Sequence, residues 1–243
     1  MTASPSDRVT VIVVNWNGRD HLAHCLPALA AQTWPCVEVV VVDNASSDGS
    51  AAWLAEDWPA VRTLALPVNA GFAAACNEGI AASEGPWVAL LNNDTVPDPG
   101  WLAALVARAG DDPHIGSVAS RMAFLDAPGV INSAGIAVDA SGIAWDRLGG
   151  APAGAGDAEA VVFGASAGAG LFRRAALDDA AETDAGGRRT YLDPRFFMFM
   201  EDVDLAWRLR LRGWTAAYAP AARVLHRGSA TAGEGSPVKN RLL

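Results

Sequence analysis

Cysteine is scarce in this chain of 243 residues: Cys25, Cys36 and Cys76 are all there is, and no two lie close together. That excludes a disulfide framework and the paired spacing of a structural zinc site, and it fits a reducing compartment. Long apolar runs are also missing. Although 51% of the residues are hydrophobic, no run approaches the roughly 18–20 residues needed to span a bilayer. The opening residues Met1 to Arg8 lack the apolar segment of a secretory signal. There is no basic excess, since 18 Lys and Arg face 27 Asp and Glu, for a formal charge of −9. Such a chain does not hold nucleic acid by bulk charge, and attraction for an anionic substrate has to be local. Two nucleotide signatures are absent as well. Asn15-Trp16-Asn17-Gly18 stands where a dinucleotide fold carries G-x-G-x-x-G, and there is no Walker A sequence.

What is present is a repeated unit of strand, polar loop and helix. Val9 to Val14 is a β-branched run suited to a strand buried on both faces. A helical pattern with Leu22, Leu26 and Leu29 follows, with Pro27 as an awkward interior residue. Val37 to Val42 ends in Asp43-Asn44-Ala45-Ser46-Ser47-Asp48-Gly49, whose Ser and Asp suit the N-cap of a helix reaching about Glu56. Val61 to Leu66 leads to Asn69-Ala70-Gly71 and a helix over Phe72 to Ala82. Trp87 to Leu91 ends in Asn92-Asn93-Asp94, before a helix over Pro99 to Ala109. Four such units predict a doubly wound α/β fold with a mostly parallel sheet. In such sheets the carboxyl ends of the strands gather the ligand, so Asn15, Asp43, Asn44, Asn69 and Asn92 to Asp94 are expected along one edge.

After about residue 111 the strand signal weakens. Gly149 to Gly156 and Asp179 to Arg189 read as loops. Gly164 to Gly170 reads as close backbone packing or approach to a ligand. Phe196 to Met200 leads into Glu201-Asp202-Val203-Asp204 and a helix that pairs Asp204 with Arg208.

Asn92-Asn93-Asp94 is either a polar turn or a site for Mg²⁺ or Mn²⁺, which take oxygen ligands from one or two carboxylates and substrate phosphates. A diphosphate about 5 Å from Asp94 would feel repulsion of roughly 3 kcal/mol per charge pair at an effective dielectric of ~20; a divalent ion between them reverses the sign. Glu201 and Asp202 are either helix-capping acids or a general base beside an apolar wall. His21, His24 and Cys25 read as an ordinary helix face. Trp16 is either core or a stacking surface, and His226 either core or a metal ligand.

The segments VTVIVVNWNG, VEVVVVDNASSDGS, NAGFAAACNEG, LLNNDTVPDPGWL, GASAGAGLFRRAAL, FFMFMEDVDLAWRLRLRGW and ARVLHRGSA resemble, in order, the family-2 inverting glycosyltransferases of GT-A fold. Their wording is most similar to the bacterial rhamnosyltransferase-like branch. The resemblance implies one GT-A domain over 1–243: a nucleotide-sugar half at about 8–110 and an acceptor and catalytic half at about 111–243. It implies that Val14 and Trp16 line the base pocket, that Asp43 and Asn44 read the base and ribose, and that Asn69, Gly71 and Asn93 continue the nucleotide cleft. Asp94 matches the metal-binding Asp of the D-x-D motif, with Asn92 in place of the first Asp. His226 matches a histidine that helps hold Mg²⁺ or Mn²⁺, and Asp202 the catalytic base. Gly164 to Gly170 would border the acceptor.

The implied partners are a dTDP- or UDP-sugar donor, with rhamnose a candidate sugar, and a saccharide or polyprenyl-linked glycolipid acceptor in cell-wall or surface polysaccharide synthesis. The implied location is the cytoplasm, with peripheral contact at the inner face of the membrane left open. Two departures stand out: Asp179 to Tyr191 is longer and more polar than the family's turn, and the chain ends soon after His226. The competing readings are a sugar nucleotidyltransferase and a non-catalytic nucleotide-sugar-binding module.

Overall fold

A computed structural model describes residues 8–110, 112–184 and 186–228. The opening segment before Arg8 and the segment beyond Gly228, on which the expectation about the chain's end falls, lie outside the described residues.

The first half alternates as the periodicity predicts: β1 (Val9–Asn15), α1 (Arg19–Ala30), β2 (Val37–Asp43), α2 (Ser50–Asp57), β3 (Arg62–Ala65), α3 (Phe72–Ala82), β4 (Trp87–Asn92), β5 (Thr95–Pro97) and α4 (Trp101–Gly110). α1 runs through Pro27, which faces solvent. The N-cap of α2 is Gly49, in a left-handed conformation, and no side chain caps it. Asp48 instead accepts from the Ser50 N–H at 3.0 Å and from the Arg19 N–H at 2.9 Å, so one carboxylate serves the starts of both α1 and α2.

The second half holds β6 (Ile115–Phe124), β7 (Ala127–Ser133), a small hairpin of β8 (Ile136–Val138) and β9 (Ala144–Asp146), β10 (Ala160–Val162), β11 (Ala169–Arg173), α5 (Arg174–Ala180), a second small hairpin of β12 (Glu182–Thr183) and β13 (Arg189–Thr190), α6 (Glu201–Leu211) and β14 (Thr215–His226). Two expectations are corrected here. Asp179 to Arg189 is the end of α5 and a hairpin rather than a loop, and Gly149 to Gly156 closes in a single 3-10 turn at Ala153–Gly156.

One sheet spans both halves in the order β10-β14-β6-β11-β4-β1-β2-β3. The strands β3, β2, β1, β4, β6 and β14 run the same way, while β11 and β10 oppose them. The fold is therefore α/β with a mostly parallel central sheet. Successive β1 residues face opposite sides, as the pleat requires. Val9, Val11 and Val13 pack with Leu22, Leu26, Leu54 and Trp101 from α1, α2 and α4. Ile12 packs with Cys76, Ile80, Leu177 and Leu205 from α3, α5 and α6. Burial on both faces is why these strands read as unbroken apolar runs.

Candidate active site

A cleft of about 900 Å³ opens where β1 and β4 end. Val14, Trp16, Asn44, Asn69, Gly71, Asn92, Asn93, Asp94, Asp202 and His226 all line it, so the predicted residues converge. Asp43 does not line it. Its side chain is 3% exposed and accepts from Asn15 Nδ2 and from the Ser46 N–H, each at 3.2 Å.

At one end of the cleft, polar side chains hold the loops in place. Asn44 Nδ2 donates to Asn69 Oδ1 at 2.9 Å and to the Gly71 carbonyl at 3.2 Å, while its own Oδ1 accepts from the Ala70 N–H at 2.9 Å. Asn93 Nδ2 donates to Asn15 Oδ1 at 2.9 Å. With these amides occupied, Trp16, 43% exposed, offers the open aromatic face at this end.

Asp94 and His226 meet because β5 follows directly on Asp94 and pairs antiparallel with β14, placing His226 opposite Thr95. His226 Nε2 is 3.2 Å from Asp94 Oδ1, and its Nδ1 is 2.9 Å from Asn132 Oδ1. With Nδ1–H donating to Asn132, the other ring nitrogen faces a carboxylate oxygen, a pair held by a proton on Nε2 or by a cation. Burial alone would raise the Asp94 carboxyl. The hydrogen bond and charge of His226 and the charge of His21 outweigh it, and Asp94 lies below its ordinary range.

A divalent ion fits these donors. Adjacent ligands of an octahedral ion at ~2.1 Å are about 3.0 Å apart, close to the 3.2 Å seen. The cleft's lining carboxyls, Asp94, Asp146, Glu201 and Asp202, outnumber its cationic candidates, His226 and Arg227. A diphosphate entering there needs added positive charge. Two side chains are a thin ligand set, and no group of three or more His, Cys, Asp or Glu suits a metal among the described residues. His21 and His24 border a separate hollow of about 670 Å³, while Cys25 is buried.

Glu201 and Asp202 open α6. The segment before them is bent by left-handed residues at Phe197, Phe199 and Met200. It is pinned by the Phe197 carbonyl, which accepts from the Phe72 N–H at 2.6 Å and the Ala73 N–H at 3.3 Å at the start of α3. Gly71 permits this approach. Its φ is +87°, and a Cβ there would sit 2.6 Å from the Phe197 ring and 2.7 Å from the Phe197 carbonyl oxygen.

Burial raises the Asp202 carboxyl, opposed by the Ala167 N–H, which donates to Oδ2 at 3.1 Å, and by Ser166. Glu201 is also raised, to about 8, by burial and by the charge of Asp202. Both carboxyls are thus held above their ordinary range by burial, with Asp202 also receiving the Ala167 N–H. Downstream, Arg208 Nε donates to Asp204 Oδ2 at 2.9 Å, the helical pair that the spacing predicts.

The family model described as Glycosyl transferase family 2 matches residues 10–180. An N-acetylglucosaminyl-diphospho-decaprenol L-rhamnosyltransferase of Mycobacterium tuberculosis is 31% identical, over 91% of this chain and 76% of its own length. The chain belongs to glycosyl transferase family 2. That membership makes it a glycosyltransferase and leaves the nucleotidyltransferase reading without support.

Another relative within reach of this family 2 chain is the poly-β-1,6-N-acetyl-D-glucosamine synthase of Staphylococcus aureus, 24% identical over 88% of the chain and 48% of its own length. Two solved glycosyltransferases share the GT-A fold. A mannosyltransferase from Pyrobaculum calidifontis, solved with GDP-Man and Mn²⁺, has a TM-score of 0.65 at 22% identity over 98% of this chain. GalNAc-T7, solved with UDP, GalNAc and Mn²⁺, has a TM-score of 0.68 at 16% identity over 90% of it. The chain spans 62% and 43% of those two proteins.

Asn132, Ser166 and Asp146 line the family 2 cleft without having been singled out by sequence. Ser166 falls within the glycine segment from 164 to 170, so part of its signal was present. Asn132 lies in β7, in a run with no distinguishing pattern.

Proposed function

We propose that this glycosyltransferase moves a sugar, with inversion, from a nucleoside-diphosphate sugar to a hydroxyl of a saccharide or polyprenyl-linked acceptor in cell-wall or surface polysaccharide synthesis. The carrying observation is the single cleft that holds a half-exposed Trp16 and the Asp94–His226 pair together with a half-buried Asp202. The mycobacterial relative's name, a rhamnosyltransferase acting on a diphosphate-linked decaprenol sugar, supports dTDP-rhamnose as the first donor to try. It also supports a lipid-linked N-acetylglucosamine as the first acceptor.

The acceptor hydroxyl attacks the anomeric carbon from the face opposite the nucleoside diphosphate. One carbon–oxygen bond forms as the other breaks, and the hydroxyl proton passes to Asp202. General base catalysis of this kind contributes typically 10²–10⁴-fold. Asp94 and His226 would hold the Mg²⁺ or Mn²⁺ that, when bound, supplies positive charge to the departing diphosphate. Val14, Trp16, Asn44, Asn69, Gly71 and Asn93 would form the nucleotide wall, with Asp43 positioning it through Asn15 and Ser46. Within the described residues, no helix is long and apolar enough to cross a membrane. On this reading the enzyme works in the cytoplasm, against the inner membrane face when its acceptor is lipid-linked.

A thermal-shift screen of dTDP- and UDP-sugars with and without Mn²⁺ tests the donor, because a ligand stabilises by RT ln(1 + [L]/Kd). Asp202→Asn should then lose transfer by about 10²-fold or more while keeping the donor's thermal shift. Transfer at parental rates by Asp202→Asn would refute the assignment of the base.

A further inference from the structure

Three tryptophans are exposed beyond two-fifths of their surface: Trp16 at 43%, Trp145 at 49% and Trp207 at 42%. Trp207 packs edge-on against Phe163, with ring centroids 4.8 Å apart, and it does not line the cleft. Trp16 and Trp145 do. Trp16 stands at the carboxyl end of β1, whereas Trp145 is carried by β9, on the hairpin beyond β7. No ring or guanidinium stacks on Trp145 among the described residues.

Flat indoles, apolar on the face and polar at the edge, suit the apolar faces of sugar rings. The next residue, Asp146, also lines the cleft, and its charge bears on the base Asp202. A carboxylate with no side-chain partner among the described residues thus follows an open aromatic face, in the same cleft as Asp202, the group proposed above to take the attacking hydroxyl's proton. The hairpin is closed at its own base and tied to the segment before β11. The Ala134 N–H donates to the Arg147 carbonyl at 2.9 Å, the Arg147 N–H to the Gly135 carbonyl at 2.8 Å, and the Ile136 N–H to the Gly164 carbonyl at 2.9 Å.

We infer that Trp145 and Asp146 form the acceptor-sugar subsite, with the indole as a stacking platform and the carboxylate as hydroxyl acceptor. This rests on the glycosyl-transfer reading. Trp145 is then a specificity-determining contact that acts on acceptor binding, while Trp16 serves the donor.

The test is saturation-transfer NMR on the full chain loaded with nucleoside diphosphate and Mn²⁺. The probes are methyl hexosides, methyl N-acetylhexosaminides and a synthetic N-acetylglucosaminyl diphosphate bearing a short prenyl chain. The parent should saturate the ring protons of at least one sugar. Trp145→Ala should weaken that signal on the order of tenfold, the loss expected for a stacked ring, and Trp145→Phe should restore most of it. The nucleotide-sugar thermal shift of both variants should match the parent, showing an intact fold and donor end. Saturation unchanged in Trp145→Ala, or no saccharide bound by a parent that binds a nucleotide sugar, overturns the subsite alone. A parent that binds no nucleotide sugar at all overturns the transfer reading instead.

Discussion

Glu201→Gln should flatten the pH dependence of stability. Glu201 is 5% exposed, its Oε2 is buried without a hydrogen-bond partner, and it feels the charge of Asp202. Its folded pKa is raised from 4.5 to about 8. For an acid raised on folding, the native state holds the proton that the unfolded chain releases. Its stabilising contribution is therefore complete below about pH 4.5, declines as pH rises, and is gone above about pH 8. The slope within that window is about 1.4 kcal/mol per pH unit, and the whole contribution is roughly 5 kcal/mol at most. Glutamine keeps the shape, carries no charge at any pH and has no such slope. Urea unfolding of the parent and of Glu201→Gln at pH 5, 6, 7 and 8 gives the difference directly. The variant should gain on the parent at each step, by several kcal/mol in sum. If the two curves run parallel across this range, Glu201 is ionised in the native protein, and the reasoning is refuted.

Other outcomes follow from the same geometry. Gly71→Ala should cost roughly 2–4 kcal/mol, because it adds a Cβ against Phe197 at a left-handed backbone position; a guanidinium melt within 0.5 kcal/mol of the parent would contradict the close approach. His226→Ala should weaken the Mn²⁺-dependent part of the donor's thermal shift by on the order of 10–100-fold in affinity, and an unchanged Mn²⁺ increment would remove His226 from the ligand set. Cys25 and Cys76 are buried, and burial pushes the Cys25 thiol up to about 12 and raises Cys76. A thiol reagent should therefore modify only Cys36 in the native protein and all three after unfolding; rapid native labelling of Cys76 would contradict its burial beside Glu201 and Asp202.

The first half of the fold was legible because its signals are local. Val9 to Val14, Val37 to Val42 and Trp87 to Leu91 are β-branched or apolar runs buried on both faces, and α3 begins and ends where its pattern does. In the second half α6 and its Asp204–Arg208 pair were legible too, but the strands were not, for a physical reason. β6, β11 and β14 are rich in Ala, Gly and Ser, residues with little intrinsic preference for strands. They are strands because β11 fits between β4 and β6, where Gly170 leaves no room for a Cβ, 2.7 Å from the Ser166 carbonyl oxygen. Partners so distant in sequence leave no short-range trace. The site divides in the same way. Asp94 and Asp202 announced themselves by motif, whereas Asn132 reaches His226 only because β7 folds back on β6. Polar strand ends were a good guide to the cleft as a whole and a poorer one to single side chains, since Asp43 turns inward to Asn15 and Ser46.

The position of β11 also bears on how the chain can be made and cut. β4 borders β1 on one side, and on the other it pairs with residues 169–173. Until a ribosome has delivered that stretch, β4 is an unprotected edge of Trp, Val, Ala and Leu with the backbone groups that face away from β1 unpaired, the kind of edge that recruits other chains. A fragment stopping after α4 would keep the residues of the proposed nucleotide wall and still lack the strand that seals β4. Expressed alone, it should aggregate rather than bind nucleotide, and the shortest self-sufficient piece should reach at least Arg173. The first half of the chain is thus finished by a strand from the second half, which ties the two into one unit of synthesis.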